Sequence, residues 1–292
     1  MHHPTTRRTL LLALATMPLF AGHASAAPAL DHALARLKAL EADSGGRLGV
    51  AALDTGNGAA LLHRADERFP FCSSFKMMLA AAILDRSRRD PTLLARRVPI
   101  HKTDLVSHSP ITKDFLAEGM TVDALCDATI RYSDNAAANL LIKILGGPGG
   151  VTAFARSIGD TAFRLDRWET MLNSAIPGDA RDTTTPAAMM NSLRKLALGE
   201  ALAAPGRALL VDWLKRNTTG DTRIRAGVPA GWIVGDKTGT GAYGTTNDIG
   251  VLWPPGRASI VVALYFTQPD ENAEARSDVL AAATRIVVAA LA

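Results

Sequence analysis

Leu30, Leu34, Leu37 and Leu40 recur three or four residues apart, and Gly45-Gly46 follows them. That spacing draws one apolar stripe along a helix and the glycines end it, so residues 28–43 are predicted to form an amphipathic helix. Residues 48–54 and 59–64 then flank Thr55-Gly56-Asn57-Gly58, the pattern of a β-hairpin. Helical periodicity dominates residues 73–87, 121–130, 134–145 and 186–216, and the Gly-Gly-Pro-Gly-Gly run at 146–150 reads as a helix-stopping turn. Strand signals return at 232–237, 248–253 and 259–266, which are short, rich in Val and Ile, and separated by Gly- or Pro-containing turns. Residues 271–292 predict a closing helix with Val279, Leu280, Ala283, Ile286 and Val287 on one face. Strands at both ends of a helical middle imply a sheet built from both termini with a helical insertion.

The N-terminus changes this picture. Arg7 and Arg8 precede an apolar run from Leu10 to Ala21, and Ala24-Ser25-Ala26 supplies small residues at cleavage spacing. This predicts a secretory signal peptide over residues 1–26, cleaved near Ala26 and too short to span a bilayer. Thr6-Arg7-Arg8-Thr9-Leu10 is similar to a twin-arginine export signal, and adjacent arginines also occur in Sec signals, so both routes stay open. Removal of this segment takes the formal charge of the 292-residue chain from +4 to +2. With no Lys/Arg cluster beyond the N-terminus, that charge gives no reason to expect nucleic acid as a partner. No later stretch is apolar enough to span a membrane, so a soluble protein outside the cytoplasm, in the periplasm, is expected. Two cysteines, Cys72 and Cys126, show no metal-type spacing, and the seven histidines include no His-Glu-x-x-His pattern. No metal and no organic cofactor are expected.

Three short constellations carry candidate chemistry. In Ser73-Ser74-Phe75-Lys76 the hydroxyl and amine three residues apart share a helix face, and serine needs such a neighbouring base to act as a nucleophile. Alone, the pair reads as an exposed helix face. Ser133-Asp134-Asn135 offers a hydroxyl to relay a proton and an amide to bind a carbonyl, yet alone reads as a helix N-cap. Lys237-Thr238-Gly239-Thr240-Gly241 ends a predicted strand. Its Lys237 and Thr238 suit a carboxylate, its glycines allow close approach, and the Thr240 N–H suits a developing oxyanion. Alone, it is equally a strand followed by a turn. A fourth segment, Arg167 to Asp182, lacks periodicity, contains Pro177 and Gly178, and carries Glu169 near its start, the marks of a compact functional loop.

The order Ser-x-x-Lys, Ser-Asp-Asn, Lys-Thr-Gly resembles that of class A serine β-lactamases and penicillin-binding proteins. The resemblance to class A extends to Phe71–Lys76, Arg164–Glu169, Asn217–Gly220 and Tyr243–Asp248, and covers essentially the whole mature chain. It implies a two-part α/β fold: an antiparallel sheet flanked by helices from residues 27–67 and 214–292, and an all-helical part from 68–213. It also implies hydrolysis of penicillins and cephalosporins through an acyl-enzyme on Ser73, conferring β-lactam resistance, by a monomer. In that reading Ser133 passes a proton to the lactam nitrogen, and Glu169 with Asn173 holds the hydrolytic water. The Ser73 and Thr240 N–H groups form the oxyanion hole, and Asn135 with the Thr240 carbonyl holds the acylamide. Either Lys76 or Glu169 is the acylation base.

The resemblance further implies a salt bridge from Arg167 to Asp182 closing the loop. Thr170 stands where many members have proline after a cis bond, and the bond geometry is left open. Arg223 matches the alternative arginine some members place against the substrate carboxylate, where a guanidinium can dock bidentately; an ordinary surface arginine is the other reading. His108 stands where many members carry an aromatic, either stacking on substrate or facing solvent. Thr240, Gly241 and Arg223 are compatible with broad activity, including oxyimino-cephalosporins. The family's usual partner positions for Cys72 and Cys126 hold Gly241 and Ala80, so two free thiols are expected. A peptidoglycan transpeptidase or carboxypeptidase shares the first three motifs without the Glu169 and Asn173 loop. A non-hydrolysing β-lactam receptor would normally carry a membrane tether.

Overall fold

The computed structural model describes residues 1–2 and 26–292; residues 3–25, nearly all of the predicted export signal, lie outside the described residues. Helix α1 (Ala26–Ser44) ends at Gly45, whose φ of +67° is the left-handed stop that glycine tolerates. Strands β1 (Arg47–Asp54) and β2 (Ala60–His63) form the predicted hairpin, with Val50 opposite His63. The chain runs through β3 (Phe69–Pro70) and a 3-10 turn, Cys72–Phe75, into α2 (Lys76–Ser87). Short strands β4 (Arg97–Val98) and β5 (Met120–Thr121) pair, and α3 (Val122–Arg131), α4 (Asn135–Ile144) and α5 (Pro148–Ser157) follow. A long loop leads to β6 (Thr183–Thr184), α6 (Pro186–Ala197), α7 (Ala204–Lys215) and the short α8 (Ile224–Gly227). Strands β7 (Ile233–Thr240), β8 (Thr246–Trp253) and β9 (Ile260–Thr267) precede α9 (Ser277–Leu291).

The main sheet is antiparallel in the order β2-β1-β9-β8-β7, so strands from the two ends of the sequence meet at the β1–β9 pair. Side chains alternate across it with period two. On β9, Val262, Leu264 and Phe266 join Leu37 of α1 and Val279, Leu280, Ala283, Ile286 and Val287 of α9 in one core. Val261, Ala263 and Tyr265, from the opposite face, join a second and larger core built on α2, α3, α4, α5, α6 and α7. The sheet is thus sandwiched, with the apolar α2 running through the helical layer: Met77 to Leu84 are all buried. Among the described residues no helix is long and apolar enough to cross a membrane.

Four expectations are corrected. The glycine run at 146–150 is both a stop and a start. Gly146 and Gly147, with φ of +84° and +107°, end α4, and Pro148 then opens α5, where its fixed φ and missing N–H cost nothing. The expected helix over 186–216 is two, because Gly199 lies between α6 and α7 and Pro205 sits in the first turn of α7. The closing helix begins at Ser277, six residues later than its polar lead-in suggested. The predicted 73–87 helix begins as the 3-10 turn that carries Ser73.

Candidate active site

The nucleophile candidate sits where three elements converge. Ser73 lies in the first turn of Cys72–Phe75, where backbone N–H groups lack a helical acceptor, and Cys72 before it is held at φ +45°. Gly239 of β7 packs directly against this turn: a Cβ there would lie 2.6 Å from the Phe71 carbonyl oxygen and 3.2 Å from the Ser73 nitrogen. Asn247 of β8 tethers the same turn by donating to the carbonyls of Pro70 at 2.8 Å and Phe71 at 3.0 Å. β7 is the outer strand of the sheet, so the backbone around Thr240 reaches the Ser73 turn along that margin.

One helical turn on, Lys76 is fully buried. Its Nζ lies 3.0 Å from Ser73 Oγ, 3.0 Å from Glu169 Oε1, 2.8 Å from the Ser133 carbonyl and 2.5 Å from Asn135 Oδ1. Burial pushes its ammonium pKa down, opposed by the charge of Glu169. Ser133, at φ +57°, precedes α4; its hydroxyl lies 3.4 Å from Lys76 Nζ and 3.1 Å from Lys237 Nζ. Backbone held in this region by a non-glycine residue is a mark of functional sites. Asp134 is the N-cap of α4 and also receives the Ile111 and Thr112 N–H groups at 2.9 Å each, which fixes the loop bearing His108. The second end of Asn135 donates to the Ser107 carbonyl at 2.8 Å.

Glu169 arrives on the long loop. The Glu169–Thr170 peptide bond is cis, the geometry left open by the sequence. Arg167 Nε donates to Asp182 Oδ2 at 2.5 Å, and Asp182 Oδ1 accepts the N–H groups of Asp166 and Arg167, so the two ends of the loop are latched. Asn139 of α4 clasps Glu169 through its backbone, accepting its N–H and donating to its carbonyl at 3.0 Å each. Asn173 donates to Glu169 Oε2 at 2.7 Å, and Glu169 Oε1 lies 3.4 Å from Ser73 Oγ. Asn173 Oδ1 is buried without a protein partner, an acceptor that calls for a water or hydroxyl donor.

The far wall is β7. Lys237 is fully buried, and burial reinforced by the nearby positive Lys76 pushes its pKa down to about 7. Thr238 Oγ1 lies 2.6 Å from Thr219 Oγ1, and the Thr219 hydroxyl donates to Asn217 Oδ1 at 2.9 Å. Asn217 in turn donates to Asp236, which pairs with Arg225 at 2.7 Å. A buried polar chain therefore reaches from Arg225 to the hydroxyl facing the site. Arg223 is buried, not an ordinary surface arginine. It donates to the carbonyls of Gly239 at 2.8 Å and Asn247 at 2.7 Å, to Thr240 Oγ1 at 2.7 Å and to Ser277 Oγ at 3.3 Å. Four of its five N–H groups are thus committed, which corrects the expected bidentate docking: one N–H remains, and the Thr240 hydroxyl, accepting from Arg223, is left free to donate.

Ser73, His108, Ser133, Asn135, Asn173, Thr219, Arg223 and Thr238 to Thr240 line one cavity of about 300 Å3. Lys76, Lys237 and Glu169 lie behind it. His108 stands exposed at the rim with Nε2 3.0 Å from the Tyr132 carbonyl. The sequence reading missed Asn139 and Asp236, whose only signal was polar character on a predicted helix and strand, and it placed Asn217 and Thr219 in a matching segment without assigning them a role. Cys72 and Cys126 are both buried and free.

The arrangement provides a hydroxyl with a buried amine, a carboxylate poised over the same hydroxyl, and a cationic wall. Residues 33–291 match the model of the β-lactamase enzyme family. The chain is 54% identical over 281 residues to β-lactamase Toho-1 of Escherichia coli, covering 96% of this chain and 97% of that one. It is 57% identical over 287 residues to the carbapenem-hydrolyzing β-lactamase KPC of Klebsiella oxytoca, covering 98% and 97%. The solved β-lactamase of Desulfarculus baarsii superposes with a TM-score of 0.88 at 57% identity, over 88% of this chain and 96% of that one. The chain belongs to the β-lactamase enzyme family, within it to the class A serine β-lactamases.

Proposed function

We propose that the protein hydrolyses the β-lactam amide of penicillins and cephalosporins through an acyl-enzyme on Ser73, and so confers resistance to them. The observation that carries this reading is Glu169 Oε1, 3.4 Å from Ser73 Oγ and 3.0 Å from Lys76 Nζ, with Asn173 on its other oxygen. A carboxylate there serves the step that a transpeptidase or a drug receptor lacks, the release of the acyl group by water.

In the first half-reaction the substrate carboxylate meets the Lys237 ammonium and the Thr240 hydroxyl, with Thr238 and the remaining Arg223 N–H beside them. Ser73 Oγ attacks the lactam carbonyl, whose oxygen takes negative charge between the N–H groups of Ser73 and Thr240. The Ser73 proton leaves to Lys76 or Glu169, both within reach. The C–N bond breaks as Ser133 gives its proton to the lactam nitrogen and recovers one from the Lys76 side. Asn135 and the Thr240 carbonyl hold the acylamide. In the second half-reaction a water donating to Glu169 and to the free Asn173 Oδ1 loses its proton to Glu169 and attacks the ester. The Ser73 oxygen leaves and is reprotonated, closing the cycle without net proton change.

The catalytic groups come from the two parts we infer for the chain: Ser73, Lys76, Ser133 and Glu169 from 68–213, and Arg223 with Lys237–Thr240 from 27–67 plus 214–292. The same reading takes the protein as a monomer exported to the periplasm by the Sec or twin-arginine route.

Nitrocefin turnover by the purified protein tests the reaction class: repeated turnover is expected, and a single equivalent of colour would overturn it in favour of a receptor. Glu169→Ala tests the division of labour. Loss of a positioned base slows a step about 10²–10⁴-fold. Intact-mass spectrometry minutes after mixing should show protein plus one benzylpenicillin, absent in Ser73→Ala. Wild-type turnover by Glu169→Ala would remove this carboxylate from the mechanism.

A further inference from the structure

A second cavity, about 650 Å3, opens on the other side of the 167–182 loop and shares no lining residue with the Ser73 cavity. It is lined by the loop segment Ala175–Ala180, by Pro70 and the Gly45–Arg47 turn, and by Pro269. That size fits a drug-sized molecule, and the wall is largely apolar through Ile176, Pro177, Pro70 and Pro269.

The four charges lining it sum to zero, but three of them are tied up in ion pairs. Glu67 is taken by Arg47 at 3.1 Å and by Arg64 at 2.9 Å. Asp179 is taken by Arg181 at 2.8 Å, and that bond holds its carboxyl down at about 2, fixed as an anion committed elsewhere. Arg68 alone has no carboxylate within ion-pair distance among the described residues. Its Nη1 donates to two neutral acceptors, the Ala162 carbonyl at 2.8 Å and Thr183 Oγ1 at 3.0 Å. The guanidinium is therefore oriented by the protein, while its Nε and Nη2 protons find no protein acceptor among the described residues. A planar cation held at the edge of an apolar hollow is matched by a flat apolar body bearing one anionic group.

We propose that this cavity is a second binding site, for a small aromatic monocarboxylate whose anion docks on Arg68 and whose ring lies against Pro70, Ile176 and Pro269. Because Ala175–Ala180 continues the segment that carries Glu169 and Asn173, the occupant contacts the hydrolytic loop from behind without entering the catalytic cavity.

The probe is 2-naphthoate, with the neutral 2-naphthylmethanol as its uncharged counterpart, followed by amide chemical shifts in the full-length mature protein. Naphthoate should shift the amides of Gly45, Gly46, Ile176, Asp179 and Gln268. Arg68→Ala and the alcohol should each weaken binding by roughly tenfold or more. Ile176→Asp, a change at an exposed loop position that sets a second anion in the wall, should do the same and stands alone if Arg68→Ala does not fold. Both variants should turn over nitrocefin at the wild-type rate, since neither residue touches the Ser73 cavity. Shifts confined to Thr238–Thr240, or no shifts, would overturn the second site. Shifts at the cavity with equal affinity for acid and alcohol, or unweakened in a folded Arg68→Ala, would overturn the role of Arg68.

Discussion

At the scale of single residues, the site is an exercise in sharing protons among buried groups. Lys237 with a pKa near 7 is the clearest case. As pH rises through that value the free protein loses the ammonium we propose for the substrate carboxylate. A docked anion favours the charged amine, so the limb in the complex lies higher. For benzylpenicillin kcat/KM should therefore fall between about pH 7 and 9, with kcat holding further up. Lys237→Arg, which keeps its charge, should flatten that fall; a flat wild-type profile would show that Lys237 stays protonated throughout. Arg223 makes a different demand. Arg223→Ala should lower kcat/KM by the equivalent of about 1.5–3 kcal/mol, since it loses an N–H and the group that orients the Thr240 hydroxyl. It should also lower the melting temperature, because the carbonyls of Gly239 and Asn247 lose their buried donor. Unchanged kcat/KM for benzylpenicillin and cephalothin would remove Arg223 from the site. Side-chain chemistry of this kind was legible where residues act in a motif, as with Ser73, Lys76 and Lys237. It was not legible for Asn139 or Asn217, whose partners are distant backbone groups or strand residues that only folding brings near.

At the scale of elements, the 167–182 loop is held by its ends. Asp182 is fully buried and carries the Arg167 side chain and two backbone N–H groups, so its loss strands a guanidinium as well as opening the latch. Breaking such a pair costs about 3–5 kcal/mol. Asp182→Ala should lower the melting temperature by roughly 6–20 °C. It should also lengthen the lifetime of the benzylpenicillin adduct by intact mass, since Glu169 and Asn173 lose their frame. A variant that melts and deacylates like wild type would mean the Asn139 clasp alone holds Glu169. The latch itself was readable from the family pattern. Element boundaries were readable where periodicity ends at a glycine, as at Gly45, and misleading where it resumes at once. The helix α5 was hidden because its first turn is Pro148-Gly149-Gly150, residues that break helices in their interior but not at their start. Continuous apolar spacing likewise concealed the break between α6 and α7, which the lone glycine and proline decide.

At the scale of the whole molecule, large cores on both faces of the sheet make crosslinks unnecessary. Cys72 and Cys126 are both buried, Cys126 within the larger core, and burial raises both thiol pKa values, for Cys72 with the help of the Glu169 charge. Neither thiol should react with a chromogenic disulfide in the native protein, and two should react once it is denatured without reductant. None reacting in the denatured monomer would mean a bridge. The sheet explains why the site is where it is. An outermost strand ordinarily offers its unpaired backbone to any extended chain that drifts by, the route to aggregation. At β7 that margin is occupied where Gly239 meets the Cys72–Phe75 turn and open beside Thr240, facing the cavity. A bicyclic drug presenting one amide along Thr240 is a strand of a single rung: long enough to be gripped, too short to propagate. In the binding mode we propose, the exposed hem of the sheet is thereby a sieve for length, admitting small amides beside Thr240 where a polypeptide would meet the Cys72–Phe75 turn.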